Sequence, residues 1–291
     1  MDMLRNLTQL IIVWFAVVSS AAAQPAAIAQ TVKSLREIKA DAMDNQLPTA
    51  VRPLLTQLKQ QLRELISDTL NTQRMWHQTS LQIRANILAE LAQVGVQVPP
   101  EESGALSDSF DTTYTYGDIN EITIKRPAGH VALLAVTTTI GICCGQDTSF
   151  YLFKRRHARW RLVLVQEANG YADISGAHNW FEYALAPPDK RGNFFVVTAN
   201  VNPWCTSNWQ GLRYQVMRLG RNAEVPHILL RGKSIIYLGV DPPVYRLKVQ
   251  ANRFSLRFDG EASRKAIWAG ATTQRKVLRY AIDGNRVRRV R

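Results

Sequence analysis

The chain has 291 residues, 36 of them lysine or arginine against 23 aspartates and glutamates, for a formal charge of +13. Its hydrophobic content of 46% is ordinary for a folded protein and excludes a chain too polar to bury a core. Three cysteines, Cys143, Cys144 and Cys205, give an odd count with no metal-ligand spacing.

The first predicted element is a signal peptide over residues 1–23. Arg5 precedes the apolar run Leu10 to Val18, which ends in Ser19, Ser20, Ala21, Ala22 and Ala23. About 9 to 12 apolar residues are too few to span a bilayer, and Ala21 and Ala23 put small side chains where signal peptidase needs them. Cleavage after Ala23 is expected, with Ala29 as the second choice. No cysteine stands at the cleavage site and no later segment is apolar enough for a second span. The expected product is secreted or periplasmic, without stable membrane insertion.

Residues 24–97 read as a helical segment. Val51, Leu55, Leu58, Leu62 and Leu65 recur at helical spacing, with Thr49 as the expected cap, Pro53 in the first turn and Asn71-Thr72 at the end. Ile28, Val32, Leu35 and Ile38 mark an earlier helix. Trp76, Ile83, Ile87, Leu91 and Val94 mark a later one that stops near Gly95. These stripes need burial against each other, against the rest of the chain or against a partner. Residues 98–117 turn to Pro, Glu, Ser, Asp and Thr, the chemistry of a linker.

From 118 to 291 the pattern is an antiparallel β domain. Phe150–Phe153 and Trp160–Val165 form a hairpin through Arg156 to Arg159, and three later hairpins turn at Gly220-Arg221-Asn222, Gln250-Ala251-Asn252 and Asp283-Gly284-Asn285. Leu134 to Cys144 repeats as Phe195 to Cys205, with the shared Val-Thr and final cysteine, and Ile235 to Val240 reads as a third unit. The fold class is mainly β with a short N-terminal helical segment. Its hairpin repeats are incomplete propeller-like or sandwich-like. An oxidising compartment favours a disulfide, expected between Cys144 and Cys205, with Cys143 as the alternative partner.

The charge is uneven. Residues 101–150 carry two basic and seven acidic groups (2 − 7 = −5), whereas 251–291 carry eleven and three (11 − 3 = +8). Such a C-terminal region attracts an anionic polymer at low salt, or is the wet side of a sheet. Nucleic acid is not expected, for want of a recognised motif.

Candidate chemistry is sparse. His77, His130, His157, His178 and His227 have no partner at ligand spacing, and the helical zinc-protease, serine-hydrolase and phosphate-loop patterns are absent. The sequence therefore implies no metal and no cofactor. Asp118, Asp147, Asp173 and Glu182 are the carboxylates that could meet on one rim as acid and base. The loop Asn202 to Gln210 is the most site-like stretch, because Trp204 and Trp209 stand beside amides and hydroxyls as in a sugar-binding surface. The expected function is an exported non-catalytic binding module for an envelope or extracellular glycan. A secreted carbohydrate hydrolase and a helix-mediated envelope scaffold are the alternatives.

Overall fold

The structure, a computed structural model, describes residues 24–39, 45–72, 78–100, 115–190, 192–219, 226–238, 245–263 and 272–290. The predicted signal, Trp76, His77, the Gly220-Arg221-Asn222 turn and most of the predicted linker lie outside them.

Among the described residues three helices come first: α1 (24–36), α2 (Val51–Asn71) and α3 (Ser80–Gln93). The apolar stripe of α2 is buried as its spacing predicts, from Val51 through Leu70. Its start differs from expectation. The N-cap position is Ala50, in helical conformation and without a side-chain cap. The Val51 N–H bonds the Pro48 carbonyl (3.0 Å) and the Arg52 guanidinium bonds that of Leu47 (3.1 Å), so Thr49 is not needed as a cap. Helix α3 does carry a capping box, in which Thr79 and Gln82 satisfy each other's backbone N–H groups.

Twelve strands of the described residues then form three four-stranded sheets, each antiparallel and in chain order. The first contains β1 (Ile119–Lys125), β2 (Leu133–Ile142), β3 (Gly145–Arg156) and β4 (Arg159–Gln166). The second contains β5 (Asn179–Leu185), β6 (Phe194–Val201), β7 (Trp209–Leu219) and β8 (His227–Tyr237). The third contains β9 (Tyr245–Gln250), β10 (Arg253–Glu261), β11 (Thr273–Asp283) and β12 (Arg286–Val290). At the last hairpin Gly284 has φ +55°, a backbone conformation that glycine adopts without strain.

The two-residue period of a strand decides the layering. Leu134, Val136, Tyr151 and Phe153 face the helices and share one core with Leu58, Leu62, Ile83 and Leu91. Their neighbours Leu133, Ala135, Phe150 and Leu152 face the opposite way and pack on Phe194, Val196 and Met217 of the second sheet. Phe195, Val197, Ala199 and Tyr214 then meet Tyr245, Phe254, Leu256, Phe258 and Tyr280 of the third. The order of layers is helices, first sheet, second sheet, third sheet. The inner strands β2 and β6 are buried on both faces, and each opens with an unbroken apolar run, 133–136 and 194–197.

The repeat aligns Ala135 with Val196 and Leu134 with Phe195. The first pair points into the interface between sheets one and two, and the second points away from it on both sides. Equivalent faces therefore meet, which is sandwich-like packing rather than the blade-after-blade repetition of a propeller. The third predicted unit is out of phase: Ile235 to Tyr237 are the end of the eleven-residue strand β8, and the second strand of the third sheet is β10. Arg231-Gly232-Lys233 has the chemistry of a turn but lies inside β8, where Gly232 pairs with Tyr214, so the sequence suggests two segments where the structure has one.

Candidate functional site

The four candidate carboxylates are dispersed and each is engaged. Asp118 pairs with Arg36 (2.7 Å) and accepts from the Thr115 hydroxyl, tying α1 to the entry of β1. Asp173 caps the 3-10 turn Ile174–Gly176 through the Ser175 N–H (2.7 Å) and accepts from Gln46 (3.3 Å). Glu182 on β5 accepts the Leu247 N–H of β9 (3.3 Å), and burial raises its pKa.

Asp147 is the centre of a buried cluster. Its side chain and that of Lys59 are both 0% exposed and form an ion pair; the ammonium also donates to the Ala168 carbonyl. The Tyr171 hydroxyl donates to Asp147 Oδ2 (2.5 Å) and the His178 N–H to Oδ1 (3.0 Å). Burial and the carboxylate together push the Tyr171 phenol well above its ordinary range, so it stays a donor. One turn along α2, Arg63 pairs with Glu167 (2.6 Å), which also accepts from the Tyr151 hydroxyl (2.6 Å). A carboxylate with its acceptor sites filled by buried donors holds α2 to β3, and the chemistry of this arrangement is structural.

The histidines follow the same logic. His130 is buried against Phe194, with ring centroids 4.6 Å apart and Nε2 bonded to the Ala186 carbonyl (2.8 Å). Nδ1 of His178 bonds the Thr148 carbonyl (3.3 Å). Burial lowers the pKa of both rings, which stay neutral donors. His157 forms the β3–β4 turn with φ +53°, and His227 opens β8, both exposed.

The predicted disulfide joins Cys144 at the β2–β3 turn to Cys205 beyond β6, with Cα atoms 5.5 Å apart. Its separation of 61 residues equals the offset of the internal repeat, so it links equivalent points of sheets one and two. Gly145 permits the approach: a Cβ there would stand 2.7 Å from Pro203 Cβ. The two loop tryptophans part company. Trp204 is half-buried against the helix-side core, whereas Trp209 is exposed and its ring rests on Tyr237, 5.0 Å between centroids. Trp180 is a third, exposed indole, outside the loop that the sequence marks as site-like.

One cleft of about 180 Å3 lies where the β5–β6 loop meets the β11–β12 turn, lined by Pro187, Asp189, Phe195, Arg218, Ile282 and Gly284. Its one carboxylate, Asp189, is paired with Arg218 (3.6 Å). A broad charged feature lies elsewhere, on the outer face of the third sheet. The inward set Phe254, Leu256, Phe258, Leu278 and Tyr280 forces the alternate residues outward. Across the strands, Arg246 faces Arg257, Lys248 lies in one row with Ser255 and Arg279, and Arg253 in one row with Ala281 and Arg288. Arg275 and Arg286 extend the same face, and all eight cations are exposed. The acidic residues on this face are Asp259, paired with Arg275 (3.2 Å to Oδ2), Glu261 and Asp283 opposite Arg286. Neighbouring strands lie about 4.8 Å apart and same-face residues about 6.8 Å apart, so the cations form a regularly spaced lattice on one face of the sheet.

No helix among the described residues is long and apolar enough to cross a membrane. A scan against protein-family models, a search of curated proteins and a search of solved structures each found no match to this chain.

Proposed function

We propose that the chain is an exported, non-catalytic binding module that holds an acidic glycan on the outer face of its third sheet. The observation that carries the reading is the lattice of eight exposed cations against three acidic groups. Arginines on a rigid strand present planar forks to carboxylate or sulfate groups at fixed spacing, which favours a polyanion with regularly repeating charges. The outward positions carry no aromatic ring on which bases could stack, which argues for a glycan over single-stranded nucleic acid. The exposed Trp209 ring is a second, sugar-stacking contact; half-buried Trp204 contributes less.

The alternatives have less support. The candidate carboxylates are each committed to a hydrogen bond or ion pair, which leaves a hydrolase without a facing acid and base. A scaffold docking through its helices would need spare apolar stripes, and those of α1, α2 and α3 are used up against one another and the first sheet. The test is binding of the chain from residue 24 onward to immobilised polygalacturonate and to a neutral glucan across a salt series. Retention on the acidic polymer that weakens with salt is expected. Equal retention on both polymers, or none on the acidic one at low salt, refutes the reading.

A further inference from the structure

Cys143 and Cys144 are the two turn residues between β2 and β3, whose last register pair is Ile142 with Gly145. In an extended strand consecutive side chains point to opposite faces, which is why adjacency alone argues against joint chelation. A two-residue turn removes that alternation. The sulfur atoms of Cys143, Cys144 and Cys205 all lie within 4.8 Å of one another, and among the described residues no histidine or carboxylate belongs to the group. Cys143 is buried and retains its thiol beside the Cys144–Cys205 disulfide.

We propose that this cluster, with its disulfide reduced, is a site for one copper(I) ion held by three thiolates. Reduction adds two electrons and two protons and breaks the sulfur–sulfur bond; a phosphine supplies the electrons and leaves as its oxide, with the oxygen taken from water. The two sulfurs then separate from about 2.0 Å to van der Waals contact. An ion about 2.3 Å from each of three sulfurs sits in a triangle with edges of about 4.0 Å, inside the observed spread of 4.8 Å. All-sulfur coordination selects a soft ion, and three ligands without a fourth suit copper(I) better than zinc, which takes four.

The surroundings hold the sulfurs in place. The Cys205 N–H donates to Asn45 Oδ1 (3.0 Å), and Pro203 packs on Gly145 so closely that a Cβ there would stand 2.7 Å away. Loading the ion displaces three thiol protons to solvent, so affinity falls as pH falls.

The test uses the chain from residue 24 onward, reduced anaerobically with a phosphine and titrated against copper(I) held by a chromogenic chelator. One equivalent withdrawn per chain is expected, none by the disulfide form, and at least tenfold weaker withdrawal by Cys143→Ser of unchanged circular dichroism. X-ray absorption on the loaded wild-type protein, which needs no variant, should count three sulfurs. The assignment is overturned by no withdrawal from the chelator, by Cys143→Ser binding as tightly as wild type, by a count of two sulfurs, or by preference for four-coordinate zinc.

Discussion

Lys59 and Asp147, 88 residues apart in the chain, form an ion pair with both side chains wholly shielded from solvent, joining α2 to β3. Removing one partner strands the other charge in a low-dielectric interior, at a cost of about 3 to 5 kcal/mol. Lys59→Met should lose about that much in urea unfolding, and Lys59→Met with Asp147→Leu should lose clearly less than the single change. If the two substitutions simply add, the pair is not coupled as described.

The disulfide has a direct readout. Unfolded but unreduced protein should titrate one thiol, and three after reduction, since Cys143 stands outside the bond. Closing a loop of 61 residues constrains the unfolded chain by about 4 kcal/mol in the chain-entropy account. Reduction should lower stability by up to that amount, and a reduced form as stable as the oxidised one would count against it.

Acid should destabilise the fold through His130 and His178. Both rings have folded pKa values lowered by burial, so below the unfolded value of about 6.5 the unfolded chain binds more protons than the folded one. Their neutral-state stability is complete above about pH 6.5 and declines as pH falls from there to the folded pKa values. His130→Gln should flatten part of this slope in pH-dependent unfolding; an unchanged slope in both His130→Gln and His178→Gln would show that other groups cause it.

The arginine lattice predicts a graded loss. Replacing Arg253, Arg257 and Arg279 by glutamine should leave folding intact, because each side chain is exposed. At about 0.5 kcal/mol per exposed charge and 1.4 kcal/mol per decade, binding to polygalacturonate should weaken about tenfold and depend less on salt. Unaltered affinity would move the polymer off this face.

Hairpins and the disulfide were legible because local chemistry specifies them. Asp283-Gly284-Asn285 turns the last pair of strands, and the matched cysteines of the repeat mark equivalent places in two sheets. Which face each sheet presents was not legible, since strands buried on both sides lose the polar alternation that reveals orientation. Leu134 and Phe195 are equally apolar, yet one meets helices and the other the third sheet. Lys59 does leave a signal in the sequence. It lies four residues after Leu55 and three before Leu62, inside the apolar stripe of α2, where a lysine demands a buried counter-charge. Its partner Asp147 was read as a rim acid because loop closure over 88 residues has no signature in local sequence.

Successive layers are fastened by unlike joints. A buried ion pair clamps the helices to the first sheet and a covalent bridge rivets the first sheet to the second, while the third is held by apolar packing and hydrogen bonds, among them the Tyr214–Tyr280 hydroxyl contact (2.6 Å), Tyr245 on the Ala199 carbonyl (2.7 Å) and the Leu247 N–H on Glu182 (3.3 Å). Mechanical or thermal stress should accordingly peel the arginine-bearing layer away first, uncovering Phe195 and Val197 to self-association while the inner laminate stays whole.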